Sequence, residues 1–235
     1  LKVGEQGAFW SSVDARLSHL SLRHMACHED VSVLQDGSLW KLSIDLPNGS
    51  HERPRLGQAV QAEVDGQLDE WVWGQGSRSD LLEIAAGCCG CGELAEFSSG
   101  RNDAKVLALR VTHIGSDAAF QASEESLEEY GCAVAKRMYL EGRQLLAFHH
   151  WQRVAATLEP TYDSDEKQRA LGARALGNLS VCALALGQHT AALEYAQRSL
   201  ELTAVARSTQ WLRVARAADA CNDHDALARA CSAGL

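Results

Sequence analysis

The second half of the chain is built from paired amphipathic helices, and no other feature limits the possible folds as much. From residue 121 onward, six segments place apolar residues at helical spacing, with short breaks between them. Three of the breaks fall on Gly142, Gly187 and Asn222, residue types that commonly end helices. Gly187 and Asn222 are 35 positions apart, whereas Gly142 and Gly187 are 45 apart. The spacing predicts an all-α domain of three helical hairpins over residues 121–235, with a longer link after the first.

Small residues recur where the two helices of a hairpin are expected to cross. They are Ala135, Ala147, Ser180 and Ala192. Small side chains let helices approach closely, and stacked hairpins bury their apolar faces against each other. The pattern resembles the tetratricopeptide repeat. The predicted repeats cover about 128–160, 165–204 and 208–235. Ser164 and Ser208 are the predicted N-caps of the second and third repeats.

The first half of the chain has the pattern of a small antiparallel sheet with one helix. Short runs alternate apolar and polar residues with a period of two, as half-buried strands do. They are SLWKLSIDL (38–46), QAVQAEVDG (58–66), EWVWG (70–74), GELAEFSS (92–99) and KVLALRVTHI (105–114). One short helix is predicted at 79–87. We therefore predict an α+β chain, with a helical lead-in over 1–29 and a sheet domain over 30–118 ahead of the hairpins.

Charge and hydropathy exclude two classes of partner. The net charge is −9, and residues 1–125 hold 19 acidic against 10 basic residues, whereas residues 126–235 hold 12 of each. An acidic first half would repel a phosphate backbone, so we expect no nucleic-acid partner. No run is long and apolar enough for a membrane span, and the first residues lack the pattern of a secretory signal. We expect a cytoplasmic protein, with the nucleus as a further location.

The eight cysteines are predicted to be reduced thiols that pack as small apolar residues. Three of them fall within CCGC (88–91), and most of the others lie at apolar positions of helical patterns. A zinc site is the alternative, because His24, Cys27 and His28 share one face of the predicted lead-in helix. However, no C-x-x-C pair supplies the remaining ligands. We therefore expect no metal and no cofactor.

Other motifs give no support for an enzyme. The chain has no phosphate-binding glycine loop and no nucleophile elbow. His149 and His150 lie in a predicted helix and are expected to be partly buried rather than ligands. Trp40, Trp71 and Trp73 are expected to pack in the core of the sheet domain. The alternative is that Trp71 is exposed, in which case the rings of Trp71 and Trp73 would form a protein-docking patch.

A sheet domain followed by such repeats resembles the FKBP-type immunophilin co-chaperones. Gly92, Glu93 and Ala95 match the family's strand after its helix, and VLALRVTHIG (106–115) looks like its closing strand. The divergent FKBP-like branch is most similar, with the germline FKBP–tetratricopeptide proteins as second choice. The resemblance implies an FKBP-like domain joined to a protein-binding repeat domain.

Departures from the family indicate that the FKBP-like domain is degenerate. The floor of the proline pocket, a Trp in active members, falls on Leu82, and the flap is reduced to SSGRNDAK (98–105) without a Tyr. Twisting a prolyl bond needs an apolar, aromatic-lined slot with donors for the rotated carbonyl. We expect no catalytic residues, no prolyl isomerase activity and no tacrolimus binding. The alternative is a residual isomerase or ligand pocket lined by Trp73, Leu82 and Phe97.

The resemblance also assigns a peptide-binding groove to the repeats. Members that bind heat-shock protein 90 hold its acidic C-terminal tail with five polar residues. In this chain those positions fall on Cys132, Lys136, Asn178, Thr209 and Arg213. Asn178 and Arg213 match the family, Lys136 keeps a donor, and Cys132 and Thr209 cannot replace ammonium groups. Arg174 and Arg216 are expected on the same face, so the groove stays basic.

These features together predict a non-catalytic adaptor that holds a partner protein, either a dedicated client or a chaperone tail. An ordinary co-chaperone that recruits heat-shock protein 90 is the alternative function. The last repeat lacks an extra capping helix, which leaves an apolar end that a partner or a second copy would cover. This end consists of Leu227, Ala228, Cys231 and Leu235.

Overall fold

The structure is a computed structural model that describes residues 27–45, 52–99, 105–115, 126–203 and 205–234. It is an α+β protein in which a six-stranded antiparallel sheet is followed by a run of helices. Most of the predicted lead-in lies outside the described residues. For its last residues, 27–29, the prediction of a helix is wrong, because they belong to the first strand of the sheet. Within the described ranges, no helix is long and apolar enough to cross a membrane.

The sheet contains all the strands that the period-two pattern predicts, together with the unexpected first strand. The strands are β1 (Cys27–Asp30), β2 (Trp40–Asp45), β3 (Ala59–Val64), β4 (Gln67–Val72), β5 (Leu94–Ser98) and β6 (Lys105–Ile114). Their order is β1-β2-β5-β6-β3-β4, and β5 pairs antiparallel with both β2 and β6. Ala95 and Phe97 of β5 are buried on one face, as the alternation requires. Along the chain, helix α1 (Asp80–Cys88) follows β4 and precedes β5.

Six further helices follow at the predicted positions. They are α2 (Leu127–Leu140), α3 (Gln144–Leu158), α4 (Glu166–Ala185), α5 (His189–Glu201), α6 (Ser208–Cys221) and α7 (His224–Gly234). Consecutive helices pack against each other along the series. The predicted breaks are confirmed, because Gly142, Gly187 and Asn222 all adopt positive φ angles between the helices of a pair. The longer first link contains a 3-10 turn at Glu159–Thr161.

Two predicted helix caps are wrong by one residue. Asp165, not Ser164, caps α4, because its carboxylate accepts hydrogen bonds from Lys167 N at 2.8 Å and Gln168 N at 3.1 Å. Arg207 holds the cap position of α6, so Ser208 is already helical. The Asp165 carboxylate thus accepts hydrogen bonds from two backbone N–H groups of the first helical turn, which is the role of an N-cap.

The chain divides into two compact units. The first unit contains Leu1–Arg53, Gln61–Asp69 and Cys88–His113. The second unit contains the helices α2–α7 together with Pro54–Val60 and Glu70–Gly87. The second unit therefore takes in α1 up to Gly87, as well as the turn that leads into it.

The core of the first unit contains a buried ion pair. Lys41 Nζ lies 2.7 Å from Glu93 Oε1, and both side chains are about 5% exposed or less. Lys41 also donates to the Cys88 carbonyl at 2.9 Å, while Ser43 Oγ and Gly90 N donate to the Glu93 carboxylate. Burial alone would raise the pKa of Glu93, but these hydrogen bonds and the Lys41 charge hold it below its ordinary value. The buried charges of Lys41 and Glu93 therefore compensate each other.

The predicted core role is confirmed for Trp71 and Trp73, whereas Trp40 is only partly buried. Trp71 is 5% exposed and Trp73 is fully buried, so the alternative of an exposed tryptophan docking patch is wrong. His149 and His150 are buried as well.

The cysteines and histidines considered for zinc do not share a helix. Cys27 and His28 lie in strand β1, and His24 lies outside the described residues. Among the residues that the structure describes, no group of three or more His, Cys, Asp or Glu is placed to hold a metal ion. The seven cysteines from Cys88 to Cys231 are free thiols.

Candidate functional site: a basic groove on the helical unit

A groove of about 690 Å³ lies on the helices of the second unit. Its walls come from α2, α4 and α6, with one residue from α3. Five of the seven residues that the sequence assigned to a peptide groove line it: Cys132, Lys136, Arg174, Asn178 and Arg213. Thr209 and Arg216 lie on α6 with exposed side chains and are not lining residues of this groove.

Arg213 is the most firmly positioned cation of the groove. Its Nη2 donates a hydrogen bond to Asn178 Oδ1 at 3.1 Å. The guanidinium lies against Gly177, where even a β-carbon would collide with it. Burial lowers the pKa of the Arg213 side chain, but arginine stays charged at neutral pH. No carboxylate among the described residues forms an ion pair with it, so a half-buried positive charge has only a neutral amide as its partner.

Two further cations line the groove, and its one lining carboxylate is already neutralised. Lys136 is exposed and forms no ion pair with any described residue. Arg174 is also exposed and lies near Cys132 and Glu129. Glu129 accepts a hydrogen bond from Ser126 N at 3.1 Å, and its carboxylate lies 3.4 Å from Lys167 Nζ. These contacts hold the pKa of Glu129 below its ordinary value. The groove therefore carries an excess of positive charge.

An apolar wall faces the same groove, and sequence reasoning missed it. Leu140 is 74% exposed at one end, Val181 is half-buried, and Trp151 contributes a mostly buried ring. Leu140 follows Lys136 by four residues and Val181 follows Asn178 by three, so each shares a helix face with a predicted polar residue. That spacing is the signal that would have found them. The groove can therefore hold apolar and acidic side chains at once.

The Cys132 thiol replaces an expected ammonium group with a buried, uncharged one. Burial raises the pKa of Cys132 to about 11, although the neighbouring Arg174 acts in the opposite direction. At pH 8 about 0.1% of such a thiol is thiolate, against about a quarter of an ordinary cysteine.

We therefore expect iodoacetamide to alkylate Cys132 at least about a hundredfold more slowly than the exposed Cys231. Peptide mapping by mass spectrometry after timed alkylation measures both rates. In guanidinium chloride the two rates should become similar, since burial then no longer separates them. Equal rates in the native protein would contradict this placement of Cys132.

The residues assigned to a degenerate proline pocket are all core residues. Leu82 lies in α1, Trp73 follows β4, and Phe97 lies in β5. Leu82 is 9% exposed, and the other two are fully buried. Their apolar surface is already in contact with protein.

Comparisons with known proteins add little to this description. No protein-family model matches the chain, and a comparison with curated proteins gives no match. A solved structure described as "Crystal structure of residues 1-211 of CG17282" is similar at 15% sequence identity and a TM-score of 0.41. The match covers 71% of this chain and 97% of that one.

Proposed function

We propose that this chain is a non-catalytic adaptor of the FKBP-like, tetratricopeptide type, whose helical groove binds an acidic segment of a partner protein. The observation that carries the proposal is the Arg213 guanidinium. It is half-buried, held by Asn178 and without a carboxylate partner in the described part of the chain. Three features support the family assignment. Two come from the sequence: the order of sheet and hairpins, and the small residues at the predicted helix crossings. The third is the left-handed conformation of Gly142, Gly187 and Asn222 between paired helices.

The energetics of Arg213 favour an anionic ligand. Removing a charge from water is costly unless a partner compensates it. Asn178 offers only a carbonyl oxygen dipole, so a ligand carboxylate would gain a charge-assisted hydrogen bond at a site that is already desolvated. Because Gly177 and Asn178 fix the guanidinium, little side-chain entropy is lost on binding.

The groove also specifies the rest of the ligand. Lys136 on α2 and Arg174 on α4 add two cations, and Leu140 and Trp151 supply apolar surface. A peptide with acidic and apolar residues within a few positions matches this lining. The uncharged Cys132 and the position of Thr209 outside the groove favour a dedicated partner over the tail of heat-shock protein 90. That tail remains the alternative ligand, and a cytoplasmic or nuclear location is part of the proposal.

We propose no enzymatic role for the sheet domain. The burial of Trp73, Leu82 and Phe97 supports this, because a prolyl peptide needs an accessible apolar slot. The exposed side chains of Ala228 and Cys231 on α7 are consistent with a further contact at the last hairpin. Of the other two residues of that predicted apolar end, Leu227 is partly buried and Leu235 lies outside the described residues.

We expect acidic pentapeptides to bind the chain better than their charge-neutral counterparts, and Arg213→Ala to weaken that binding about tenfold or more. A tenfold loss corresponds to about 1.4 kcal/mol, within the range for a hydrogen bond to a charged group. An array of C-terminal pentapeptides would identify the ligands, and calorimetry would measure the affinities. Met-Glu-Glu-Val-Asp and Met-Gln-Gln-Val-Asn would be one matched pair.

Arg198→Ala on α5 is the control, because it removes the same charge from an exposed ion pair, that of Arg198 with Glu159. It should leave peptide affinity unchanged. Strongest binding to Met-Glu-Glu-Val-Asp would favour the heat-shock protein 90 alternative. Equal binding of acidic and neutral peptides, or equal affinities of wild type and Arg213→Ala, would rule out the proposed groove function.

A further inference from the structure

Two adjacent histidines of α3 are buried without the hydrogen bonds that a buried imidazole normally makes. His150 is fully buried and His149 is 8% exposed. Among the described residues, no hydrogen-bond partner is found for Nδ1 or Nε2 of His150 or for Nε2 of His149. Burying a neutral imidazole without partners has a modest free-energy cost. An imidazolium would bury a full charge and two unpaired N–H donors, which costs much more.

Both rings pack edge-on against Trp73. The ring centroids of His149 and His150 lie 6.3 and 5.6 Å from that of Trp73. The Arg153 guanidinium lies over the same indole at 4.6 Å, and Trp73 Nε1 donates to the Glu83 carbonyl at 2.7 Å. Trp73 and Glu83 belong to Glu70–Gly87, which we call the α1 segment. The histidines are therefore part of the contact between this segment and α3 within the second unit.

Three arginines bind the α1 segment by its backbone carbonyls. Arg143 donates to the Gly76 and Arg78 carbonyls at 2.5 and 2.7 Å, Arg137 to that of Gln75 at 2.8 Å, and Arg153 to that of Gly87 at 3.1 Å. The same arginines act on His150 as positive charges from α2, the α2–α3 turn and α3. Holding the segment with arginines thus makes a further positive charge on the histidines unfavourable.

Two carboxylates of the α1 segment, Asp80 and Glu83, offset these charges only in part. Asp80 is already paired with Arg143 at 2.6 Å. Glu83 Oε2 accepts from Gly74 N at 3.0 Å, while its Oε1 is buried without a partner. Burial raises the pKa of Glu83, which favours its neutral form over the carboxylate.

We propose that His149 and His150 form an acid-sensitive latch, which holds the α1 segment on α3 when both rings are neutral and releases it when they take up protons. In the closed contact, the two nitrogens of His150 and Nε2 of His149 have no acceptor among the described residues, and three arginines lie nearby. Release exposes both rings to water, where protonation is unopposed. The device is independent of the peptide groove and of its ligand.

The direction of the pH effect follows from the shifts. Burial lowers the pKa of His149 to about 3, and burial together with the neighbouring charges lowers that of His150 well below its ordinary value. In the released form both return to about 6.5. The released form therefore binds more protons below that pH, and the latch is complete above about 6.5 and weakens as the pH falls. Glu83 acts in the opposite direction, because its raised pKa favours proton uptake in the closed form.

Hydrogen exchange measured by mass spectrometry tests the proposal on the full chain. Between pH 7.5 and 5.5 each histidine should raise the opening constant about tenfold, so we expect protection of the α1 segment, corrected for intrinsic rates, to fall about 10- to 100-fold. Amides of α6 serve as the internal reference and should change much less. Glu83→Gln should make the fall steeper.

Variants separate the histidines from other titrating groups. His149→Phe combined with His150→Phe keeps aromatic rings against Trp73 and should abolish the excess pH dependence. His189→Gln with His224→Gln, both exposed, should leave it unchanged. If the double Phe variant does not fold, NMR titration of the wild-type imidazoles replaces it. Two rings that stay neutral below pH 5 support the latch. Titration of all imidazoles near pH 6.5, or equal pH dependence in the α1 segment and α6, would overturn it.

Discussion

Trp73→Ala is expected to lower the free energy of unfolding by about 3–5 kcal/mol. The indole is fully buried and is in contact with His149, His150 and Arg153. Its removal would leave a cavity and deprive the Glu83 carbonyl of its donor. Denaturant unfolding followed by circular dichroism measures the loss.

Two comparison variants make the Trp73 result specific. Trp73→Phe keeps most of the ring but loses the hydrogen bond to the Glu83 carbonyl, so an intermediate loss of about 1–3 kcal/mol is expected. Leu68→Ala removes a side chain that is 75% exposed and should change stability by less than about 0.5 kcal/mol. A loss below about 1 kcal/mol for Trp73→Ala would mean that the indole is not the centre of this core.

Lys41→Met is expected to destabilise the first unit by about 3–5 kcal/mol, because it strands the buried Glu93 carboxylate without its counter-ion. Adding Glu93→Gln should recover much of that loss, since no buried charge then remains. The matched surface variant is Lys105→Met, whose partner Glu96 lies 3.8 Å away with both side chains substantially exposed. That variant should cost no more than about 1 kcal/mol.

The same ion pair has a defined pH dependence. The pKa of Glu93 is lowered in the folded chain, so its contribution is present above the ordinary glutamate value and is lost as the pH falls through the lowered one. In Lys41→Met, only the hydrogen bonds from Ser43 and Gly90 oppose the effect of burial on Glu93, and we expect the carboxyl pKa to rise. Stability measured from pH 3 to 7 in both proteins distinguishes the two cases. Parallel pH profiles would argue against a buried pair.

Local patterns predicted most of the elements. The period-two runs became β2 to β6, and the helical runs became α2 to α7, because these periodicities are properties of short stretches of chain. Asn222 was predictable as a helix end, since asparagine tolerates the left-handed conformation it adopts there. β1 was missed because its sequence, CHED (27–30), has no alternation of apolar and polar residues, and its strand conformation depends on pairing with β2. The cap of α4 was misplaced because Ser164 and Asp165 compete, and only Asp165 has the required geometry.

The candidate site was predictable only in part. The resemblance to a known family placed Asn178 and Arg213 together, and the structure joins them by a hydrogen bond. It did not reveal that Gly177 makes room for the guanidinium or that Leu140 and Val181 form an apolar wall. Thr209 and Arg216 share the helix that carries Arg213, yet they do not line the groove, because burial across helices depends on their packing and not on spacing alone.

By itself the sequence determined which stretches are strands and helices, where the helical pairs break, and that the excess negative charge belongs to the first half. Only the tertiary structure decided which charges are compensated: Lys41 by Glu93, Glu129 by Lys167, and Arg213 by no carboxylate among the described residues. It also decided that His149 and His150 lie buried against Trp73. The reason is that periodicity acts between near neighbours, whereas burial and ion pairing depend on residues that folding brings together from distant parts of the chain.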